Sequence, residues 1–171
     1  MVRVSKAQLL SFLEPFDNGL SKPMALVAVG GTAMTLLGIK ASTKDVDFNI
    51  PDSGDCDIFR KLYKKINPGV TIDFWPSNMI FSEVLPDDYL DRATDYETDF
   101  KNIRIRVLST IDIACSKISR LSGTDEEDIR DCIGYAKIKK REFEARAGQF
   151  SCAGADRIFK ENLRYVLGHL F

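Results

Sequence analysis

Asp45 and Asp47 stand one residue apart in the run Lys44-Asp45-Val46-Asp47-Phe48-Asn49-Ile50. Strand residues at i and i+2 point to the same face, so both carboxylates leave the sheet together. They are then close enough to share divalent cations, and two like charges held that close repel unless a cation or a proton neutralises them. Upstream, Gly30-Gly31-Thr32 breaks a short apolar run and opens a helical pattern. Such a turn can present backbone N–H groups to phosphate. A third acid, Asp73, lies between Ile72 and Phe74 on a later strand pattern and shares the alternation of the first pair. These residue types at these spacings point to phosphate and metal chemistry.

Other users of Asp-x-Asp fit less well. Glycosyltransferases use the pair, as do phosphatases of the haloacid-dehalogenase type. The phosphatases run an apolar strand straight into the first Asp and place a Thr soon after the second. Here Ala41-Ser42-Thr43-Lys44 precedes the pair and Phe48-Asn49-Ile50 follows it, which excludes that class. A Walker phosphate loop is excluded too, because Gly-Lys-Ser/Thr is absent.

The elements that must carry these residues can be read from periodicity. Ser5 can cap a first helix whose apolar stripe is Leu9, Leu10, Phe12, Leu13 and Phe16, and Asn18-Gly19 ends it. Ala25 to Val29 reads as a central strand. Gly30-Gly31 breaks it, and Thr32 to Leu37 forms a short helix ended by Gly38. Asp45 to Ile50 alternates strictly, so its polar face (Asp45, Asp47, Asn49) must look into solvent or a site. The spacing predicts an amphipathic helix over 55–66 with Ile58, Phe59, Leu62 and Ile66 inward, then a strand over 70–75. Pro86 opens a short helix, and a hairpin ends in the strand Ile103 to Leu108.

After Ser109 every apolar pattern is helical. One helix runs from Thr110 to about Leu121, and a second follows the capping box Thr124-Asp125-Glu126-Glu127. Lys139 to Ala147 and Gly154 to Leu170 complete the helical half. The expected fold class is therefore α/β (α+β), a mixed sheet flanked by helices with a C-terminal helical part. Residues 1–108 form the α/β core with its N-terminal helix, and residues 109–171 a helical region packed on it.

The chain has 171 residues, is 44% apolar and holds 11 Phe, which suits one domain or a small core with a helical appendage. Its net charge of −1 and pI near 5.9 exclude a dedicated nucleic-acid-coating protein. A local patch for a nucleic-acid end stays open. Two basic stretches, Arg60 to Lys65 and Lys137 to Arg146, read as solvated helix faces, with a guide for a tRNA-like acceptor as the sharper alternative. Cys56, Cys115, Cys132 and Cys152 are scattered and the single His cannot complete a zinc site, so no zinc is expected and the cysteines read as buried, reduced side chains. Reduced cysteines argue for a cytoplasmic protein, and the absence of a long apolar run for a soluble one with no membrane partner. Trp75 reads as packing, and His169 is given no role.

The order strand, GGT, helix, strand with DVD, helix, strand with Asp73 resembles the nucleotidyltransferase fold of the polymerase-beta type. The run VGGTAMTLLGIKASTKDVDF is similar to the AbiEii-like branch, small nucleotidyltransferases often found as toxins of toxin–antitoxin pairs. The likeness extends through IRIRVLS, DIACSKISRL and DEEDI and covers about residues 23 to 135. It implies transfer of a nucleotide from an NTP to an acceptor, an RNA 3′ end such as tRNA or a protein side chain, with Mg²⁺ or Mn²⁺ as cofactor and a cognate antitoxin as partner. It further implies that Asp45 and Asp47 ligate two metal ions and that Asp73 holds the one that activates the acceptor. Gly30, Gly31 and Thr32 would meet the phosphates. Lys117 would supply positive charge to the triphosphate, and Asp128 would help orient the site. An alternative, from a different class, is an inactive nucleotidyltransferase-like module that binds or regulates a partner.

Overall fold

The computed structural model describes residues 3–152 and 156–171. The strands are β1 (Val4–Ser5), β2 (Met24–Ala28), β3 (Ser42–Thr43), β4 (Val46–Ile50), β5 (Ile72–Pro76), β6 (Met79–Ile80), β7 (Glu83–Val84), β8 (Thr94–Tyr96), β9 (Ile103–Val107) and β10 (Ser151–Cys152). The helices are α1 (Lys6–Gly19), α2 (Gly30–Leu36), α3 (Ser53–Ile66), α4 (Tyr89–Arg92), α5 (Thr110–Cys115), α6 (Gly123–Ala136), α7 (Lys140–Ala147) and α8 (Asp156–His169).

Five strands form the main sheet in the order β5-β4-β2-β9-β8. β2 is central and almost wholly apolar, running antiparallel to β4 and parallel to β9. β5 lies parallel to β4, and β8 closes the other edge as the first arm of the expected hairpin. Alternation along β4 and β5 separates two faces. Phe48 and Phe74 join a face covered by α1 and α3, where Phe16 stacks on Phe59 at 4.8 Å and Phe59 meets Phe74 edge-on at 5.1 Å. Asp47, Asn49 and Asp73 occupy the opposite face.

Long-range polar contacts lock these layers. Buried Asp17, near the end of α1, accepts the N–H groups of Lys101 (3.0 Å), Asn102 (2.7 Å) and Ile103 (2.7 Å), fixing the start of β9. Burial alone would push its carboxyl up, but these three backbone donors outweigh it and hold it below the usual range. The segments after residue 109 share the apolar cluster of the sheet, contributing Ile113, Ile118, Ile129, Phe143 and Val166. Arg146 on α7 ties them in place: it forks onto Asp112 of α5 (Nε 2.5 Å, Nη2 3.0 Å) and reaches Asp88, the N-cap of α4 (2.6 Å).

Several elements differ from expectation. The polar face of β4 does not look into solvent throughout, because Asn49 is fully buried. Its amide donates to the carbonyls of Trp75 (3.2 Å), Ser77 (2.8 Å) and Met79 (3.0 Å), and its Oδ1 accepts from Tyr89 (2.8 Å). Ile58 is exposed on α3, whose buried residues are Cys56 and Phe59. Arg146 is buried, not part of a solvated face, because Asp112 beneath it needs a counter-charge. The region after Ser109 is not wholly helical: β10 pairs with β7 beside β6 in a small sheet that a two-residue strand leaves almost no pattern to announce. Gly154, the expected start of the last helix, lies outside the described residues.

Candidate active site

Asp47 lies on β4 directly across from Asp73 on β5, its register partner in the parallel pair. Asp45 sits just before β4, at the mouth. The three carboxylates, Gly30 and Gly31 line one open cleft of about 820 Å³, together with Lys117, Arg120, Asp125, Asp128 and Phe81. All the residues expected to do chemistry are thus gathered in this cleft except Thr32, which lies just beneath it. The Thr32 hydroxyl is fully buried, accepts the Asp47 N–H at 2.9 Å and donates to the Asp45 carbonyl at 3.2 Å. Its side chain holds the Asp-x-Asp backbone and does not open toward a ligand.

The two glycines have distinct reasons to be there. Gly30 has φ of 52°, a left-handed conformation that favours glycine, and a Cβ on it would come within 3.3 Å of Asp47 Oδ2. A Cβ on Gly31 would stand 2.5 Å from Thr43 Oγ1. Thr43 in turn donates to the Asp45 carbonyl at 2.8 Å. Two threonines and two glycines therefore set where Asp45 and Asp47 stand.

The site is strongly polarised. Asp47 is only 6% exposed; burial, then the neighbouring charges of Asp45 and Asp73, push its carboxyl up to about 7. Arg120 and Lys117 pull in the other direction and do not balance it. A carboxylate in this state gains most from a cation placed beside it. The donor set of three carboxylates with no imidazole or thiolate is hard and suits Mg²⁺. Among the described residues, no three His, Cys, Asp or Glu side chains converge tightly enough to enclose an ion by themselves. Mg²⁺ is usually held by one or two carboxylates together with substrate phosphates, so the open arrangement fits an ion whose shell a triphosphate completes.

Lys117 and Asp128 meet as a buried pair (2.7 Å), each under 5% exposed. Asp128 also pairs with Lys40, and Lys117 also reaches Asp125 (3.3 Å). The helix α5 stops at Cys115, so Lys117 lies in the tight turns that follow, not on a helix body. The capping box of α6 is Ser122 with Asp125, two residues earlier than expected. That places Asp128 in the second turn, where a helix-terminus explanation for an acid no longer applies. Asp125 completes the box while also accepting from Arg120 (2.8 Å). Burial alone would push Asp125 up, but Arg120, Ser122 and Lys117 outweigh it and hold its carboxyl down at about 2.

Sequence reading missed Lys40, Arg120 and Asp125. Lys40 and Arg120 sit singly between small or apolar residues and carry no periodic signal, and Asp125 was absorbed into the wrong capping box. It also missed Glu83 of β7, fully buried and bonded to Ser119, which burial pushes up to about 7 despite that bond.

A mixed sheet carrying Asp-x-Asp and a register-matched third Asp beside a Gly-Gly turn defines a nucleotidyltransferase-like protein. A family model described as "Nucleotidyltransferase of unknown function (DUF6036)" matches residues 8–157, and the chain belongs to that family. The fold is similar to that in the crystal structure of an antigenic nucleotidyltransferase-like protein from Paracoccidioides brasiliensis. That likeness has a TM-score of 0.55 at 16% identity, covering 98% of this chain and 90% of the other. No curated protein matches the chain. No helix among the described residues is long and apolar enough to cross a membrane.

Proposed function

We propose that this protein is a metal-dependent nucleotidyltransferase that moves a nucleotide from an NTP onto an acceptor, an RNA 3′ end such as tRNA or a protein side chain, with pyrophosphate leaving. The observation that carries the reading is the register match of Asp47 and Asp73 in a cleft that Gly30 and Gly31 also line. Asp45, Asp47 and Asp73 would hold Mg²⁺ or Mn²⁺. When bound, the ions supply charge neutralisation to the attacking and leaving oxygens. Gly30 and Gly31 let the backbone approach the phosphates, and a Cβ on Gly30 would crowd Asp47 Oδ2 beside them. Lys117, which lines the cleft, is held in place by Asp128. A toxin role with a cognate antitoxin is supported by the resemblance to the AbiEii-like branch alone.

The test incubates the protein with each α-labelled NTP, Mg²⁺ or Mn²⁺, and total tRNA, and resolves RNA and protein on one gel, with Asp47→Asn as control. Label that vanishes in the variant is the expected result. Absence of both label and saturable NTP binding overturns the reading. The second reading, an inactive binding or regulatory module, draws on the engagement of Lys117 by Asp125 and Asp128. It expects partner affinity to survive Asp47→Asn.

A further inference from the structure

On the α6 side of the cleft Lys40, Lys117 and Arg120 pair with Asp125 and Asp128, and Glu127 lines the same cleft. Lys117 is poorly placed to meet a ligand, since its side chain is 5% exposed and its ammonium is clasped by both acids. Arg120 is open to one. Its side chain is 57% exposed, and Asp125 takes its Nη2 at 2.8 Å and its Nε at 3.3 Å. Binding along that edge leaves the Nη1–Nη2 edge of the guanidinium without a hydrogen-bond partner among the described residues, a fork that matches two phosphate oxygens.

The guanidinium also rests on an aromatic platform. Its central carbon lies 5.1 Å from the centroid of the Phe81 ring, and Trp75 backs that ring at 4.6 Å. Phe81 occupies the first position of the two-residue turn between β6 and β7 with φ of 51°. Turns of this kind favour Gly or Asn there, and a bulky side chain in the left-handed region is an outlier. Strain of this sort gathers where a site needs a side chain in one place. The ring sits in ordinary contact range (3.6 Å) of where a Cβ on Gly30 would stand, so it spans from the glycine turn to Arg120.

We propose that Arg120, laid on the Phe81 ring and steered by Asp125, is the side chain that binds the terminal phosphates of the nucleoside triphosphate, and that Lys117 is the buried anchor keeping Asp125 and Asp128 in position. The assignment rests on the nucleotidyltransferase reading and reassigns the triphosphate-binding cation within it. Arg120 lines the same cleft as Asp45, Asp47 and Asp73.

The test compares calorimetric affinities for an NTP and the matching nucleoside monophosphate, both with Mg²⁺, in the wild type, Arg120→Gln, Arg120→Lys and Phe81→Leu. Arg120→Gln should weaken the triphosphate about ten- to hundredfold, the loss expected for charge-assisted hydrogen bonds, while moving the monophosphate less than about twofold. Arg120→Lys should restore only part of this, because an ammonium cannot fork. Phe81→Leu should shift the preference in the same direction by less. Melting temperatures separate the two cations: Lys117→Met should lower Tm markedly and Arg120→Gln hardly at all. Triphosphate affinity unchanged in Arg120→Gln, or an equal loss for both nucleotides, overturns the assignment while leaving the enzyme reading intact. A wild type that binds neither nucleotide overturns both.

Discussion

The Thr32 hydroxyl accepts the backbone N–H of Asp47 at 2.9 Å while donating to the carbonyl of Asp45 at 3.2 Å. The Gly-Gly-Thr turn and the Asp-x-Asp strand, separated by twelve residues of chain, are thereby one mechanical unit. Thr32→Val keeps the shape and removes both bonds. It should cost ~1–3 kcal/mol, because a buried N–H loses its partner. NTP affinity should fall with it, and Thr32→Ser should retain both stability and affinity. Urea unfolding and nucleotide titration of the two variants decide the matter.

Asp47 makes stability fall as pH rises. Its carboxyl is pushed up to about 7 by burial and then by Asp45 and Asp73, against an ordinary value of 3.8. The folded state therefore holds a proton that the unfolded chain releases, and the penalty grows between about pH 4 and 7 and is complete above that. Asp47→Asn should raise stability at pH 8 by ~1–4 kcal/mol and change little at pH 4. Thermal melts at both pH values test this, and some slope should persist in the variant because Glu83 is also pushed up to about 7. Added Mg²⁺ should raise the wild-type Tm at pH 8 more than that of Asp47→Asn.

Gly31→Ala forces a Cβ to within 2.5 Å of Thr43 Oγ1. The expected cost is ~1–3 kcal/mol, as for other overpacked sites. Thr43→Ala in the same chain should relieve the clash, although it also removes the 2.8 Å bond to the Asp45 carbonyl. A double-mutant cycle in urea should therefore show the two changes to be strongly non-additive.

Removing Arg146 strands Asp112, which is fully buried. Arg146→Met should destabilise by ~3–5 kcal/mol, the loss that follows when one partner of a buried pair is taken away. Adding Asp112→Leu to it should recover most of that loss, because apolar side chains can replace such a pair. Equal stability of the single and double variants would contradict this account.

Much of the site could be read from local pattern, because the chemistry is concentrated in short runs. Alternation put Asp47 and Asp73 on the same face as Asn49, and a glycine pair after an apolar run announced the turn. The register that sets Asp47 beside Asp73 belongs to the pairing of β4 with β5, which no single strand encodes. Asn49 shows the same division: its face was legible, but its burial depends on Tyr89 and the 75–79 segment closing over it.

Fold class, the central apolar strand, helices α1 and α3 and the three carboxylates of the cleft were all legible in local pattern. These follow from periodicity, which acts between neighbours in the chain. Tertiary structure alone decided which cations serve which acids. Lys40, Lys117, Arg120, Asp125 and Asp128 come from three separate segments, and a charge has no periodicity that names its partner. Burial then settles their roles, because an ammonium closed in by two carboxylates and a guanidinium open to the cleft meet very different surroundings.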